Sequence, residues 1–377
     1  MRETDDGSLL LRNSERVTYL RCRQKWEWGW LQGWTPKVAA PALRFGTLIH
    51  EALAAYYKPG KRRGPHPAKT FRKMYDEELE EVSRFGFRDE DGEWQDAGVM
   101  GIDMLEHYVE HYRGDPHIEV IAPEQPFRVD LSKSNGKGYL VTPVGTFDAI
   151  IRNLETGKIG LFEHKTATAI STAHLSLDEQ AGTYHALAGS WLHEQGLLKK
   201  GEEIDFILYN YLRKALRDDR PRNEAGQYLN KPTKADLFEA ADELFVETHP
   251  KMTLEQLRQA YVDAGEDPDL HGQVSKSQPP PYFEREPVWR DEHDREQLLF
   301  RIRAQAWEMK EATEGRLPIY KRPTPGCSGG MGESKCAFFD VCELHETGSD
   351  WEEMMELTLT RWDPYEAPYD RNIPAGL

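Results

Sequence analysis

The chain has 377 residues, of which 38% are hydrophobic, and its formal net charge at pH 7 is −17. This length can bury a large core in one elaborated domain or two. No apolar run reaches the ~20 residues of a membrane span, and the charged N-terminus lacks an apolar signal core. We therefore expect a soluble, cytoplasmic protein. The negative charge argues against non-specific coating of nucleic acid, which needs clustered Lys and Arg, although basic runs at 58–63 and 213–222 allow a local basic channel.

The first third of the sequence has helical periodicity. A helix is predicted over 14–32, where Tyr19, Cys22, Trp26 and Trp30 recur at helical spacing. A second helix begins at Pro41, and two more are predicted over 68–84 and 98–112. The apolar stripe of the second helix is expected to be buried, with His50 at its edge; it comprises Phe45, Leu48, Ile49, Ala52, Leu53 and Tyr56.

Strands follow the helices. Short strands are predicted over 118–121, 127–131 and 139–141, and residues 145–165, GTFDAIIRNLETGKIGLFEHK, predict a β-hairpin. Both halves of this stretch alternate apolar and polar residues, and 154–157 supplies turn residues between them. An antiparallel-rich sheet therefore follows a helical N-terminal portion.

The register of this hairpin predicts a cation site. If residue 153 pairs with 158, Asp148 lies opposite Glu163, and Lys165 shares that face while His164 points the other way. Two opposed carboxylates destabilise a sheet unless a positive charge lies between them, and a divalent cation suits such oxygen ligands. The alternative is an exposed hairpin with ordinary surface charges, and a one-residue bulge would change the register.

The second half contains a helix over 177–194, a buried strand over 204–212 and a long helix over 291–313. The first of these helices places Gln180 and Tyr184 one turn apart, and the strand ends at the basic pair Arg213 and Lys214. Residues 215–290 are predicted to be an insertion with helices over 234–247 and 253–264, and 346–377 an acidic tail. Four cysteines in a reducing compartment favour metal binding over disulfides.

The order of these features resembles a known family. Cys22, GTLIH at 46–50, GTFD at 145–148, EHK at 163–165, QAGTY at 180–184 and three late cysteines occur in sequence. This order resembles the RecB-like branch of the PD-(D/E)XK nucleases, especially the iron–sulfur CRISPR-associated and phage exonucleases, over roughly 14–215 and 290–345. The resemblance implies an α/β (α+β) fold with a central mixed sheet flanked by helices, a restriction-endonuclease-like core, in one nuclease domain over 14–345.

The resemblance also implies roles for individual residues. His50, Asp148 and Glu163, with the backbone carbonyl of His164, would bind Mg²⁺ or Mn²⁺, and Asp148, Glu163 and Lys165 would be catalytic. Lys165 would orient the attacking water and help to deprotonate it. We expect Gln180 and Tyr184 to contact DNA and to brace the site, and Arg213 and Lys214 to contact DNA; the alternative for the Gln–Tyr pair is simple packing on the sheet.

A second cofactor is implied by the cysteines. Cys22 with Cys327, Cys336 and Cys342 matches the family's arrangement for a [4Fe–4S] cluster, which would staple segments 14–35 and 323–345 together. Eight residues separate Cys327 from Cys336, which departs from the family's usual tight spacing between the first two late cysteines. A structural zinc site and free thiols are the alternatives.

The implied function is a metal-dependent exonuclease that hydrolyses DNA ends, prefers single-stranded DNA and serves phage or bacterial recombination and repair. One alternative is a CRISPR-adaptation nuclease that trims new spacers. Another is a non-catalytic subunit that binds DNA ends, against which the complete set of His50, Asp148, Glu163 and Lys165 argues.

Overall fold

The computed structural model describes residues 2–5, 7–37, 41–84, 88–89, 91–131, 140–329 and 335–365, with the side chains of 41–43 excepted. The chain forms two compact units, one from Met1–Lys214 with Phe283–Leu377 and the other from Ala215–Tyr282. Within the described part, no helix is long and apolar enough to cross a membrane.

The helices are α1 Asn13–Arg21, α2 Arg23–Trp26, α3 Pro41–Tyr56, α4 Pro67–Arg84, α5 Glu93–Tyr112, α6 Glu179–Glu194, α7 Lys234–Ala241, α8 Leu254–Asp263, α9 Glu292–Thr313, α10 Phe339–Thr347 and α11 Trp351–Thr358. The strands are β1 Arg2–Glu3, β2 Ser8–Arg12, β3 Trp34–Pro36, β4 Ile118–Arg128, β5 Leu140–Asn153, β6 Ile159–Ala167, β7 Ile204–Arg213, β8 Phe283–Val288 and β9 Leu359–Arg361.

A mixed sheet is the centre of the larger unit. Among the described residues it has seven strands in the order β1-β2-β5-β6-β7-β8, and β4 pairs with β5 outside this path. β2 with β5 and β6 with β7 are parallel, whereas the other pairs are antiparallel. Helices flank the sheet, as predicted for an α/β fold. The parallel step from β6 to β7 crosses over through α6, the usual way to connect parallel strands.

The predicted hairpin is β5 and β6, and its predicted register is confirmed. Ala149 pairs with Phe162 and Arg152 with Ile159, and the N–H of Asn153 donates to the carbonyl of Lys158 at 2.9 Å. The side chain of Asn153 accepts hydrogen bonds from the backbone N–H groups of Glu155 and Thr156 in the turn. Gly157 adopts φ 74°, a conformation that glycine tolerates best. Local turn chemistry therefore sets this register.

The sheet opens beside the hairpin ladder. β2 pairs with Leu140–Val144 of β5, and β6 pairs with Ala149–Arg152. The ladders of β2 and β6 thus leave residues 145–148 of β5 between them, and Asp148 is the last of these.

Several predicted boundaries were wrong. The predicted helix over 14–32 is interrupted at Cys22, whose backbone is extended (φ −158°, ψ 112°). The helical spacing of the apolar residues did not reveal this break, because Tyr19 and Trp26 still pack edge to face, with 4.9 Å between their ring centroids. The strands over 118–121 and 127–131 are one strand, β4, with a register shift between Val120 and Ala122. The strand β2 was not predicted, and residue 139 lies outside the described residues.

The core lies on both faces of the sheet. The stripe of α3 is buried as predicted, with Ile49, Ala52 and Leu53 fully excluded from solvent. A second cluster unites the sheet residues Ile150 and Leu161 with apolar residues of α6 and α9. Burial of each large apolar side chain contributes about 1.5–3 kcal/mol, so these two layers hold the hairpin from both sides.

The smaller unit has its own core. Leu237, Leu257 and Tyr261 are fully buried in it, and capping boxes at Thr233 and Thr253 begin α7 and α8. α7 ends earlier than the predicted 247. These contacts make 215–282 a compact unit rather than a long loop.

Candidate active site

Asp148 lies at the point where the hairpin ladder ends. Its Oδ2 accepts the backbone N–H of His164 at 2.8 Å, and its Oδ1 lies 3.2 Å from Nδ1 of His50. His50 is on α3, the helix whose apolar stripe is buried, and α3 packs against β5 and β6. The structure therefore brings together three of the predicted metal-binding residues, from one helix and two strands.

Glu163 and Lys165 form the second half of the site. Lys165 Nζ donates to Glu163 Oε1 at 2.8 Å and to Gln180 Oε1 at 3.2 Å. Gln180 in turn donates to the hydroxyl of Tyr184 at 3.4 Å. A chain of polar contacts thus joins the carboxylate of β6 to the Gln–Tyr pair of α6.

The side chain of His164 points away from Glu163 and Lys165, as the alternation predicts. It is 2% exposed, its ring stacks on Tyr57 at 5.7 Å, and Nδ1 receives a hydrogen bond from Asn210 Nδ2 at 2.9 Å. Burial lowers the pKa of His164 to about 3. The imidazole is therefore neutral, whereas the backbone N–H of His164 donates to Asp148.

The two carboxylates have opposite pKa shifts. Burial raises the pKa of Glu163 to about 7, and the neighbouring Asp148 adds to this rise against the opposing effect of Lys165. Burial acts in the same direction on Asp148, but His50 and the backbone N–H of His164 outweigh it and hold its pKa below the usual value. Opposite shifts in an adjacent pair of acids are a feature of functional sites.

The two cationic partners are stabilised in their charged forms. Burial alone would lower the pKa of Lys165, but Glu163 and Asp178 raise it above its usual value. Burial would likewise lower the pKa of His50, and Asp148 reverses this and raises it. Each carboxylate therefore has its own positive neighbour.

This pairing bears on metal binding. Among the described residues, no three His, Cys, Asp or Glu side chains are gathered in an arrangement that could hold a metal ion. The donor chemistry nevertheless fits Mg²⁺ or Mn²⁺: two carboxylates, an imidazole and a peptide carbonyl are hard or intermediate ligands. The raised pKa of Glu163 reflects a buried acid whose charge a cation would stabilise.

The four cysteines come from both ends of the larger unit. All four are partly buried free thiols, and the N–H of Cys336 donates to the carbonyl of Cys327 at 3.0 Å. The pKa of Cys342 is raised, first by burial and then by the nearby thiols, while Lys321 lowers it. Trp28 packs in one cluster with Cys336 and Cys342.

The predicted DNA-contacting residues fall in two places. Gln180 and Tyr184 adjoin the carboxylates, and the ring of Tyr184 lies 5.3 Å from that of Phe127. Lys214 lies over the ring of Phe45 at 5.3 Å, at the exit of β7 with Arg213. In the basic run at 58–63, Arg63 donates to the carbonyls of Gly114, Asp115 and Ile118, so its donors serve the fold.

Comparison with known families gives a match over residues 14–343 to the PD-(D/E)XK nuclease superfamily. The chain belongs to this superfamily. No match is found among curated proteins. Membership makes the chain a nuclease with a nucleic-acid substrate, and PD-(D/E)XK nucleases typically use divalent metal ions such as Mg²⁺.

Sequence reasoning missed several residues that shape this PD-(D/E)XK site. Asp178 caps α6 by accepting the N–H of Gln180 at 2.8 Å and also accepts from the hydroxyl of Tyr209. Asp is a favoured N-cap residue, so an Asp at the start of a predicted helix was a usable capping signal. Arg285, which contacts Asn210 behind His164, carries no such local signal.

Proposed function

We propose that this nuclease is a metal-dependent exonuclease that hydrolyses phosphodiester bonds at DNA ends and prefers single-stranded DNA. The observation that carries the proposal is the meeting of Asp148, Glu163, Lys165 and His50 where the hairpin ladder ends. The pathway, phage or bacterial recombination and repair, rests on the resemblance in sequence order.

The residues proposed to hold Mg²⁺ or Mn²⁺ are His50, Asp148, Glu163 and the backbone carbonyl of His164. When bound, such an ion supplies Lewis acidity and acidifies bound water. An ionised carboxylate has about four acceptor sites, so Asp148 and Glu163 could bind the ion while keeping their contacts with His50 and Lys165. The ammonium of Lys165 would orient the attacking water, and its charge would favour deprotonation of that water.

Gln180 and Tyr184 are proposed to position the DNA strand. Their contact with Lys165 through Gln180 supports this role, because a strand bound against this pair lies beside the catalytic lysine. Arg213 and Lys214 at the exit of β7 are proposed to neutralise backbone phosphates. With a net charge of −17, such contacts must be local.

A [4Fe–4S] cluster on Cys22, Cys327, Cys336 and Cys342 is proposed as a structural staple. The shared packing of Trp28 with Cys336 and Cys342 and the mutual influence of the thiols on Cys342 support it. Zinc is the alternative, since four thiolates also form a tetrahedral site.

We also propose that the nuclease domain covers residues 14–345, with 215–290 as an insertion, and that residues 346–377 form an acidic tail.

The decisive experiment is cleavage of end-labelled linear single-stranded, linear duplex and circular DNA with Mg²⁺ and with Mn²⁺. We expect fastest cleavage of the linear single strand and none of the circles. Lys165→Ala should abolish cleavage while DNA binding persists, and Glu155→Gln in the hairpin turn is the control. Cleavage of circles at the linear rate would show an endonuclease, and full activity of Lys165→Ala would remove the proposed active site.

A further inference from the structure

Three residues form a row across the sheet behind the candidate active site. His164 of β6 pairs in register with Asn210 of β7, and Asn210 pairs with Arg285 of β8. Their side chains are also joined, because Asn210 Nδ2 donates to His164 Nδ1 at 2.9 Å and Arg285 Nε donates to Asn210 Oδ1 at 2.9 Å. The row connects an edge strand to the residue between Glu163 and Lys165.

Arg285 fixes the donor and acceptor roles in the hydrogen bonds of this row. A guanidinium can only donate, so the atom of Asn210 that faces Arg285 is the amide oxygen. The amide NH₂ must then face His164 and the hydroxyl of Tyr108, 3.1 Å away. Since Nδ1 of His164 accepts this bond, the ring carries its proton on Nε2, and one tautomer is selected.

The guanidinium of Arg285 is itself held on several sides. Its two Nη atoms donate to the two carboxylate oxygens of Asp115, at 2.5 and 3.0 Å, and Nη2 also donates to the hydroxyl of Tyr108 at 2.9 Å. The guanidinium lies 3.5 Å from the centre of the Tyr112 ring. A bidentate pair in a buried site gives a fixed geometry rather than a mobile ion pair.

Asp115 is presented by an unusual turn after α5. Arg113, Gly114 and Asp115 have φ values of 49°, 78° and 50°, and positive φ is unfavourable for residues with a side chain. Arg63 holds this turn by donating to the carbonyls of Gly114 and Asp115. Strained backbone is retained where the surrounding structure requires it, and here it aims Asp115 at Arg285.

We propose that Arg285 is a positioning residue for the nuclease reaction, and this proposal rests on the proposed function. Acting through Asn210, it sets the ring of His164 and so the backbone between Glu163 and Lys165. That backbone gives its N–H to Asp148, and its carbonyl is a proposed metal ligand. Loss of the contacts that hold the His164 ring would remove a restraint on this part of β6, so Glu163 and Lys165 would be held less firmly at their shared site.

The test uses Asn210→Leu, which removes the three hydrogen bonds of the amide, with His164, Tyr108 and Arg285, and Arg285→Lys, which keeps a cation beside Asp115 without the guanidinium fork. Arg152→Lys is the control, because Arg152 pairs with Glu119 and Glu202 at the far end of the hairpin. Cleavage of linear single-stranded DNA gives kcat and KM. ¹⁵N spectra of the histidine rings report the tautomer of His164, and calorimetric titration with Mn²⁺ reports metal affinity.

We expect kcat to fall by about 10- to 100-fold in both variants, as small displacements of reacting groups do, while KM changes less than twofold. His164 should show one tautomer, protonated at Nε2, in the wild type and a mixture in Asn210→Leu, and Mn²⁺ affinity should fall in both variants. Arg152→Lys should match the wild type in all measurements.

Folded Arg285→Lys and Asn210→Leu proteins with wild-type kcat and Mn²⁺ affinity would overturn the positioning role, as would a wild-type His164 in mixed tautomers. If the wild type cleaves no DNA, the proposed function fails separately. In that case the tautomer and the Mn²⁺ affinity still decide whether Arg285 positions the site.

Discussion

The backbone N–H of His164 and the carboxylate of Asp148 are joined by a hydrogen bond of 2.8 Å, which closes the hairpin where its ladder stops. Asp148 is therefore both a proposed metal ligand and a structural acceptor. These two roles can be separated, because an amide in its place keeps an acceptor and loses the charge.

Asp148→Asn and Asp148→Ala should both abolish cleavage, with a loss of at least about 10²-fold, typical of removing a catalytic group. Asp148→Ala should lose about 1–3 kcal/mol more unfolding free energy than Asp148→Asn, because it leaves a buried N–H without an acceptor. Denaturant unfolding and the nuclease assay measure these effects. Equal stability of the two variants would show that the hydrogen bond to His164 contributes little.

Metal affinity should depend on pH through Glu163. Its pKa is raised to about 7, so the acid holds a proton below that pH, and a divalent ion must displace this proton to bind the carboxylate. The affinity for Mn²⁺ should therefore fall by about tenfold between pH 8 and pH 6, as expected for one competing proton. The raised pKa of His50 acts in the same direction.

Calorimetric titration in buffers of different ionisation enthalpy measures both the affinity and the protons released. Glu155→Gln, in the exposed turn of the hairpin, is the control and should keep the wild-type dependence. An affinity that stays constant from pH 6 to pH 8 would contradict the assignment of Glu163 as a ligand.

The cysteines predict a coloured protein. Anaerobically purified protein should be brown and hold about four iron atoms per chain if four thiolates bind one cluster. Cys22→Ser and Cys342→Ser should lose iron, and Cys327→Ser tests the ligand whose spacing departs from the family pattern. Iron analysis and visible absorption measure this, and colourless protein with one zinc per chain would establish the alternative metal.

Two glycines near the site should respond in opposite ways to alanine. A Cβ on Gly145 would lie 2.9 Å from the ring of Phe127 and 3.3 Å from that of Tyr184, so Gly145→Ala should cost about 1–3 kcal/mol, as overpacking does, and should lower cleavage by displacing Tyr184.

Gly46→Ala is the matched change on α3. Its Cβ would meet Thr166 Oγ1 at 3.5 Å, an ordinary contact, so the better helix propensity of alanine should raise stability by up to about 1 kcal/mol. Thermal unfolding of the two variants compares them directly. A destabilised Gly46→Ala protein would indicate a contact at α3 that the static structure does not show.

The part of the site that sequence could predict is the part set locally. The register of β5 and β6 follows from alternation and from the turn at Asn153 and Gly157, which act within a few residues. The same alternation separates His164 from Glu163 and Lys165. His50 could be placed only through the family resemblance, since it reaches Asp148 from another element.

The remainder depends on contacts between distant segments. Arg285 and Asp115 are 170 residues apart, and nothing near either residue in the sequence indicates the other. The break at Cys22 was equally hidden, because both short helices keep the same apolar spacing. The strand β2 was not predicted because it pairs in parallel with the distant strand β5. Such a pair has no connecting turn that the sequence could reveal.

The long separation of Arg285 from its partners has a consequence for biosynthesis. Asp115, His164 and Asn210 leave the ribosome well before Arg285, and all of residues 215–282 must be translated in between. During that interval Asp115 has no guanidinium to pair with, and the edge of β7 has no β8. A nascent chain therefore completes the support of its hairpin late, and long-range pairing of this kind slows folding.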